Sequence, residues 1–322
     1  MRQPFAIHSL LVISLIALID FARPTGSRPF WAAAQSASSY TLTVPVNEVS
    51  LTFHASDSHG LPINDLKHGE IKILDNGKPP RRVLAFYVFE DHPIRAGILM
   101  DTSQSMQQRL PASRAIAIQY AQHLLRQQTD QAFLMDFGFT ANILQPWTGD
   151  PATLANGIRR VRTGKENPLA GTALYDSLFR ACFYEFGKIN HDASGNFILL
   201  FSDGEDNASH TALKDVVNIC QQSNTAIYAF RTEDKSNLFS NGPGTLADLT
   251  SQTGGRVFPG DDSPTEVDND LRTIEADLRN TYRLVYQPAE LKPDGSFHRI
   301  ALRGPERVDS ISVRTGYYAP TN

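Results

Sequence analysis

At about Arg95 the hydrophobic pattern of the chain changes period, and that change decides the fold class. Before it, from Tyr40 to about Glu90, apolar and polar residues alternate, as in YTLTVPVNEVSLTFHA. Strands with one wet face read this way. After it, short apolar runs (RAGILM, QAFLMDFGF, NFILLFS, AIYAF) are separated by segments with helical spacing (PASRAIAIQYAQHLLRQQ, TALYDSLFRACFYEF, TALKDVVNICQQ). NFILLFS is apolar on both faces, as a strand covered on both sides by helices must be. Strands alternating with helices predict βα units around a mostly parallel sheet. The expected fold is therefore α/β, a Rossmann-like domain with a small β-sandwich-like domain from the N-terminal segment.

Local punctuation supports the element boundaries. Asp150-Pro151 reads as an N-cap followed by a proline already shaped for the first turn. Ser263-Pro264-Thr265-Glu266 reads as a capping box with proline in the first turn. Asp75-Asn76-Gly77 lies between two apolar runs, which predicts a hairpin there. QAFLMDFGF and NILQPW read as a second hairpin, and TLADLTSQTGG as a helix closed by glycine. After Asn280 the chain returns to strands: YRLVYQP, FHRIALR and SISVRTGYY. The expected division is a leader over 1–34, a β domain of about five strands over 38–92, the α/β domain over 93–286, and strands over 287–322 that complete the β domain.

The leader reading rests on Leu10 to Ile19, a ten-residue apolar run behind Arg2 and His8. A membrane-crossing helix needs about 20 such residues, so the run suits a secretory signal. Ala32 and Ala34 supply an A-x-A cleavage site before Gln35. The stretch from Asp20 to Ala34 is long for a signal and holds two prolines, so an uncleaved anchor is the alternative, and the only route to membrane contact. The expected location is exported: periplasmic, cell-envelope or secreted. Export permits a disulfide. Cys182 and Cys220 nevertheless each sit in a helical segment, and the expectation is two small buried thiols.

A formal net charge of −4 without any Lys/Arg run argues against nucleic acid as a partner. G-x-S-x-G, H-E-x-x-H and Walker A patterns are all missing. The acidic stretch from Gly260 to Asp270 lacks the central glycine of an EF-hand loop and coincides with the capping box.

The chemistry gathers at predicted strand ends. Asp101 ends the first α/β strand and opens DTSQS, with Ser103 and Ser105 at alternate positions. Asp203 follows NFILLFS, and Thr172 precedes a helix. Singly, each has an ordinary reading: a cap for Asp101 or Thr172, loop hydroxyls for the serines, a turn for Asp203-Gly204. Together they are oxygen donors beyond the carboxyl ends of strands, where open α/β sheets bind ligands. Two close carboxylates repel unless a cation lies between them. Oxygen donors without imidazole or thiolate select a hard cation, Mg²⁺ first, with Mn²⁺ or Ca²⁺ fitting the same set.

DTSQS matches the D-x-S-x-S motif of von Willebrand factor A domains, and Thr172 and Asp203-Gly204 match that family's second and third motif elements in the same order. The resemblance covers about Pro93 to Tyr286. The pieces TALYD, FSDGEDN, TGGRVF, YRLVYQP and RTGYYAP resemble a narrower group of exported bacterial relatives, which commonly have glycine where Gln104 stands. The resemblance implies a metal-ion-dependent adhesion site formed by Asp101, Ser103, Ser105, Thr172 and Asp203. It also implies a non-enzymatic protein-binding role, in adhesion or as a scaffold, with a Glu or Asp carboxylate of a protein partner completing the metal's coordination. The alternatives are a metal-dependent hydrolase of phosphate or ester substrates and a purely structural metal site in an envelope scaffold.

Overall fold

The computed structural model describes residues 48–163, 171–187, 195–231, 241–260 and 263–321. The expected leader lies outside them. Within the α/β part, strands β4 (Ile94–Asp101), β5 (Gln131–Phe137), β6 (Ala141–Thr148), β7 (Gly195–Ser202), β8 (Thr225–Arg231) and β9 (Val257–Pro259) form one sheet, ordered β6-β5-β4-β7-β8-β9. All pairings are parallel except β5 with β6, the expected hairpin. The sheet is Rossmann-like, with helices on both faces.

Alternation along the strands builds those two faces. Ala96, Ile98 and Met100 of β4 join Phe197, Leu199 and Phe201 of β7 in one core layer. Helices α1 (Leu110–His123), α2 (Pro151–Arg160) and α6 (Pro264–Arg279) cover it with Ile116, Tyr120, Leu154, Ile158, Leu271 and Ile274. Leu99, Ile198 and Leu200 point the other way, under α3 (Leu174–Arg180), α4 (Leu213–Gln222) and α5 (Gly242–Thr253). Every residue of β7 is buried, as its uninterrupted apolar run predicts. The Asp150 side chain accepts from the amides of Ala152 and Thr153, and Ser263 and Glu266 form the expected capping box. Gly254, at φ 92°, closes α5 in the left-handed region that favours glycine.

Strands β1 (Val49–Ser56), β2 (Lys72–Asp75) and β3 (Arg82–Phe89) precede this domain. Strands β10 (Thr281–Gln287), β11 (Phe297–Arg303), β12 (Ser310–Val313) and β13 (Gly316–Tyr318) follow it. They form a four-stranded sheet, β12-β1-β10-β3, and a three-stranded one, β13-β11-β2. A shared core of Val49, Leu51, Phe53, Ile73, Tyr282, Leu284 and Ile300 fills them. At its centre, Asp75 accepts hydrogen bonds from the hydroxyls of Tyr286 and Tyr317, both at 2.8 Å, and meets His298 Nδ1 at 2.7 Å.

Residues 48–92, the described part of the N-terminal segment, supply three strands, and the sandwich is filled out by β10 to β13. Three expectations need correction. β10, counted with the α/β domain in the division at 286, pairs instead with β1 and β3. Its alternating burial needs one wet or lightly packed face, which the doubly covered sheet does not offer. Asn76 and Gly77 do adopt positive φ, 49° and 77°, but the turn makes no hairpin between long strands. β2 goes to one sheet and β3 to the other, joined across the turn by a single bridge from Asp75 to Lys78. Pro79 and Pro80 follow at once and have no N–H with which to extend that bridge. Finally, Cys182 and Cys220 are bonded to each other, with Cα atoms 5.0 Å apart. Cys182 lies in a π-helical turn, Ala181–Phe186, that continues α3 and packs beside α4. Neighbouring helices thus bring the two side chains into range.

Candidate metal centre

β4 and β7 are adjacent and parallel, with Met100 opposite Phe201. Their last residues, Asp101 and Ser202, therefore emerge side by side at the carboxyl edge of the sheet, at the centre of its strand order. Asp101 is fully buried. Its Oδ1 accepts from the Ser103 amide at 2.8 Å, an Asx turn that folds the loop back over the strand end. Its Oδ2 accepts from the Ser202 hydroxyl, also at 2.8 Å. Met106 is buried and pins the short 3₁₀ turn Gln104–Met106 beneath the loop. Ser103 and Ser105 face each other, their hydroxyl oxygens 3.1 Å apart. Ser103 is half-buried, and Ser105 and Gln104 are exposed.

Asp203 comes directly after β7 and is half-buried. Gly204 has φ 83°, and a side chain there would run into the backbone of Gly242 at the start of α5. Only glycine fits a turn that tight, so the loop is fixed at its second residue. Burial pushes the Asp101 carboxyl up to about 7. The hydrogen bonds from Ser103 and Ser202 oppose that rise, and the negative charge of Asp203 adds to it. The two carboxylates are thus close enough to repel.

Thr172 is buried in the loop before α3. Its amide donates to Asn207 Oδ1 at 2.7 Å, and its carbonyl accepts from the amides of Asn207 and Ala208. The next amide, Ala173, donates to the Gly138 carbonyl beyond β5. The Phe137 carbonyl in turn accepts from Thr102, the neighbour of Asp101. A continuous set of bonds therefore joins the Asp101, Thr172 and Asp203 loops along one edge. Thr172 is not the N-cap that its ordinary reading suggests. The N-cap of α3 is Ala173, and Asp206 from the facing loop accepts from the Tyr175 amide in its place.

Sequence reasoning missed the residues that hold these loops. Ser202 closes an apolar strand, and a lone hydroxyl ending such a run is the one signal of its role in the sequence. Asp206 and Asn207 carry no local signal of this role, because Tyr175 and Thr172, whose amides they accept from, are more than 30 positions away. Asp176, in the first turn of α3, also accepts from the amides of His210 and Thr211.

Among the described residues, no three carboxylate, imidazole or thiolate groups gather as a metal-holding cluster. The set at this edge is different in kind: two carboxylates with hydroxyls. Its chemistry fits a hydrated hard cation, which would offset both the burial and the Asp203 charge that raise the Asp101 pKa.

No curated protein matches the sequence. Among solved structures, BatB of Bacteroides thetaiotaomicron is similar at 15% identity and a TM-score of 0.46, over 56% of this chain and 97% of its own. Proximal thread matrix protein 1 of the mussel byssus is similar at 13% identity and a TM-score of 0.46, over 63% of this chain and 50% of its own. A structure of that mussel protein with a zinc-occupied MIDAS motif gives 14% identity and a TM-score of 0.43, over 64% of this chain and 50% of its own. Residues 97–205, the part that carries Asp101, Ser103, Ser105, Thr172 and Asp203, match the family of von Willebrand factor type A domains.

Proposed function

We propose that Asp101, Ser103, Ser105, Thr172 and Asp203 hold a divalent cation of the Mg²⁺ type, and that the protein is an exported, non-enzymatic binding module for adhesion or scaffolding. The observation that carries this reading is a carboxylate sunk at the end of a central strand, pressed toward neutrality by burial and by a second carboxylate, and edged by hydroxyls. Two carboxylates balance the divalent charge formally, but with the neutral hydroxyls they leave coordination positions to water, which an acidic side chain of a protein partner would displace. When bound, it supplies Lewis-acid attraction for that carboxylate. The chain's own groups orient and fix it: Ser202 and the Ser103 amide aim Asp101, and Asn207 holds the Thr172 loop. The buried disulfide supports export, because such bonds persist in oxidising compartments.

Titration calorimetry with Mg²⁺ and Mn²⁺ tests the site. The intact protein is expected to bind, and Asp101→Ala to lose binding with an unchanged circular dichroism spectrum. Metal binding by Asp101→Ala equal to that of the parent would sink the assignment. A pull-down from an envelope fraction, with and without EDTA, tests the partner: capture that survives EDTA refutes a metal-bridged carboxylate.

A further inference from the structure

We infer that the outer edge of β3 pairs with the same edge of a second copy of this chain, antiparallel, about a two-fold axis near Phe86 and Tyr87.

Strands at the ends of sheets carry unpaired amides and carbonyls, and proteins usually blunt them. The six sheet-end strands here differ in how they do so. β2, β9, β12 and β13 have four residues or fewer. β6 has eight but carries Pro146, and its ladder to β5 is irregular at two places. β3 also has eight residues, RVLAFYVF, with no proline or lysine among them. Tyr87 is 50% exposed and Val88 43%. None of its residues is fully buried. Among the described residues, no backbone hydrogen bond from outside the ladder reaches Val83–Phe89. Long apolar edges of this kind are templates for another strand.

The charges choose the occupant and its direction. Arg81 and Arg82 precede the apolar run, and Glu90 and Asp91 follow it. Asp91 holds Arg126 at 2.6 Å, whereas Arg82 and Glu90 have no ion-pair partner among the described residues. A parallel alignment of two copies would set like charges together. An antiparallel one sets each basic end against the acidic end of its mate, and opposite charges across a strand pair are favourable. The ladder to β10 steps from Val83 opposite Tyr286 to Ala85 opposite Val285, so Leu84 is an inserted residue, a bulge. The straight part of the edge is therefore Ala85–Phe89. The bulge also draws Arg82 one place nearer to it. Self-pairing of Ala85–Phe89 then brings Arg82 opposite Glu90 or Asp91. The product is one eight-stranded sheet from two four-stranded ones.

Sedimentation equilibrium on the full chain over a concentration series tests this. The parent is expected to be a dimer, and Val88→Lys, an edge lysine, to halve the mass. Arg82→Glu is expected to weaken the dimer about tenfold, and Arg82→Glu with Glu90→Arg to restore it. The restored double variant separates lost pairing from lost folding. Both native cysteines are in the disulfide, so Tyr87→Cys introduces the sole free thiol, and oxidation is expected to crosslink it across the axis. A parent that stays monomeric throughout overturns the inference. So does a dimer untouched by both Val88→Lys and Arg82→Glu.

Discussion

Asp101 shows how a charge becomes tolerable in a core. The strand carries it to full burial, where ionisation is costly. Two fixed donors recover part of that cost, and a bound cation would recover the rest. Ser202 is the donor whose loss is most informative, because it touches Asp101 without belonging to the proposed ligand set. Removing partners that orient metal ligands typically costs 10- to 100-fold in affinity. We expect Ser202→Ala to weaken Mg²⁺ binding at least about tenfold by calorimetry. Unchanged affinity would show that Asp101 is aimed without it. The ligand candidates themselves were legible from DTSQS, Thr172 and Asp203, because strand ends and oxygen donors are visible in one dimension. Asp206 and Asn207 were not, since nothing local distinguishes a loop side-chain oxygen in water from one bonded to a distant amide.

Among the elements, α3 and α4 follow the two loops that flank the site, and the Cys182–Cys220 bond ties them on their far side. It closes a sequence separation of 38 residues, for which loop-closure entropy gives about 4 kcal/mol. Cys182→Ala with Cys220→Ala is expected to lower the unfolding free energy by about 2–5 kcal/mol in urea titrations. A loss under about 1 kcal/mol would mean that packing alone holds the helices together. Helical periodicity located both cysteines correctly. It could not say that two neighbouring helices present them to each other, because that depends on the order β4-β7-β8 of the strands beneath. The Asn76-Gly77 turn teaches the converse. Its backbone is the one the residues demand, but Pro79 and Pro80 divert the following strand to another sheet. Turn chemistry sets a local angle, and pairing is decided by the hydrogen bonds available afterwards.

At the scale of the molecule, the α/β domain is inserted in the sandwich, and the junction centres on the end of α6. Arg279 and Asp130 are both buried there and meet at 2.7 Å. Arg279 also reaches the Leu124 carbonyl, and Asp130 accepts from the Ile94 amide at the start of β4. Burial raises the Asp130 pKa, but Arg279 and the amides of Arg126 and Ile94 outweigh it and hold the pKa below the usual range. A carboxylate lowered on folding stabilises above its unfolded pKa of about 4 and loses that contribution as the pH falls through the folded value. Unfolding free energies measured between about pH 2 and 5 should therefore fall with pH, and more shallowly in Arg279→Met. An identical slope in that variant would remove the pair from acid denaturation. The alternating strands and the βα repeat made both layers readable from sequence. The placement of β10 was not, because a strand just after a helix satisfies either sheet until its partners are known.

The insertion has a mechanical meaning. The chain crosses from sandwich to α/β domain twice, at Glu90–Pro93 and at Asn280, and the crossings lie together, with the His92 amide donating to the Arg279 carbonyl at 3.3 Å. A domain tethered by one strand of chain swivels about it. One tethered by two adjacent strands resists torsion, and tension applied to it divides between them. Such a pull reaches β1 and β3 through β10, which is hydrogen-bonded to both along its length, so a load on the α/β domain is met by strands sheared against each other and not by a hairpin unzipped from its end.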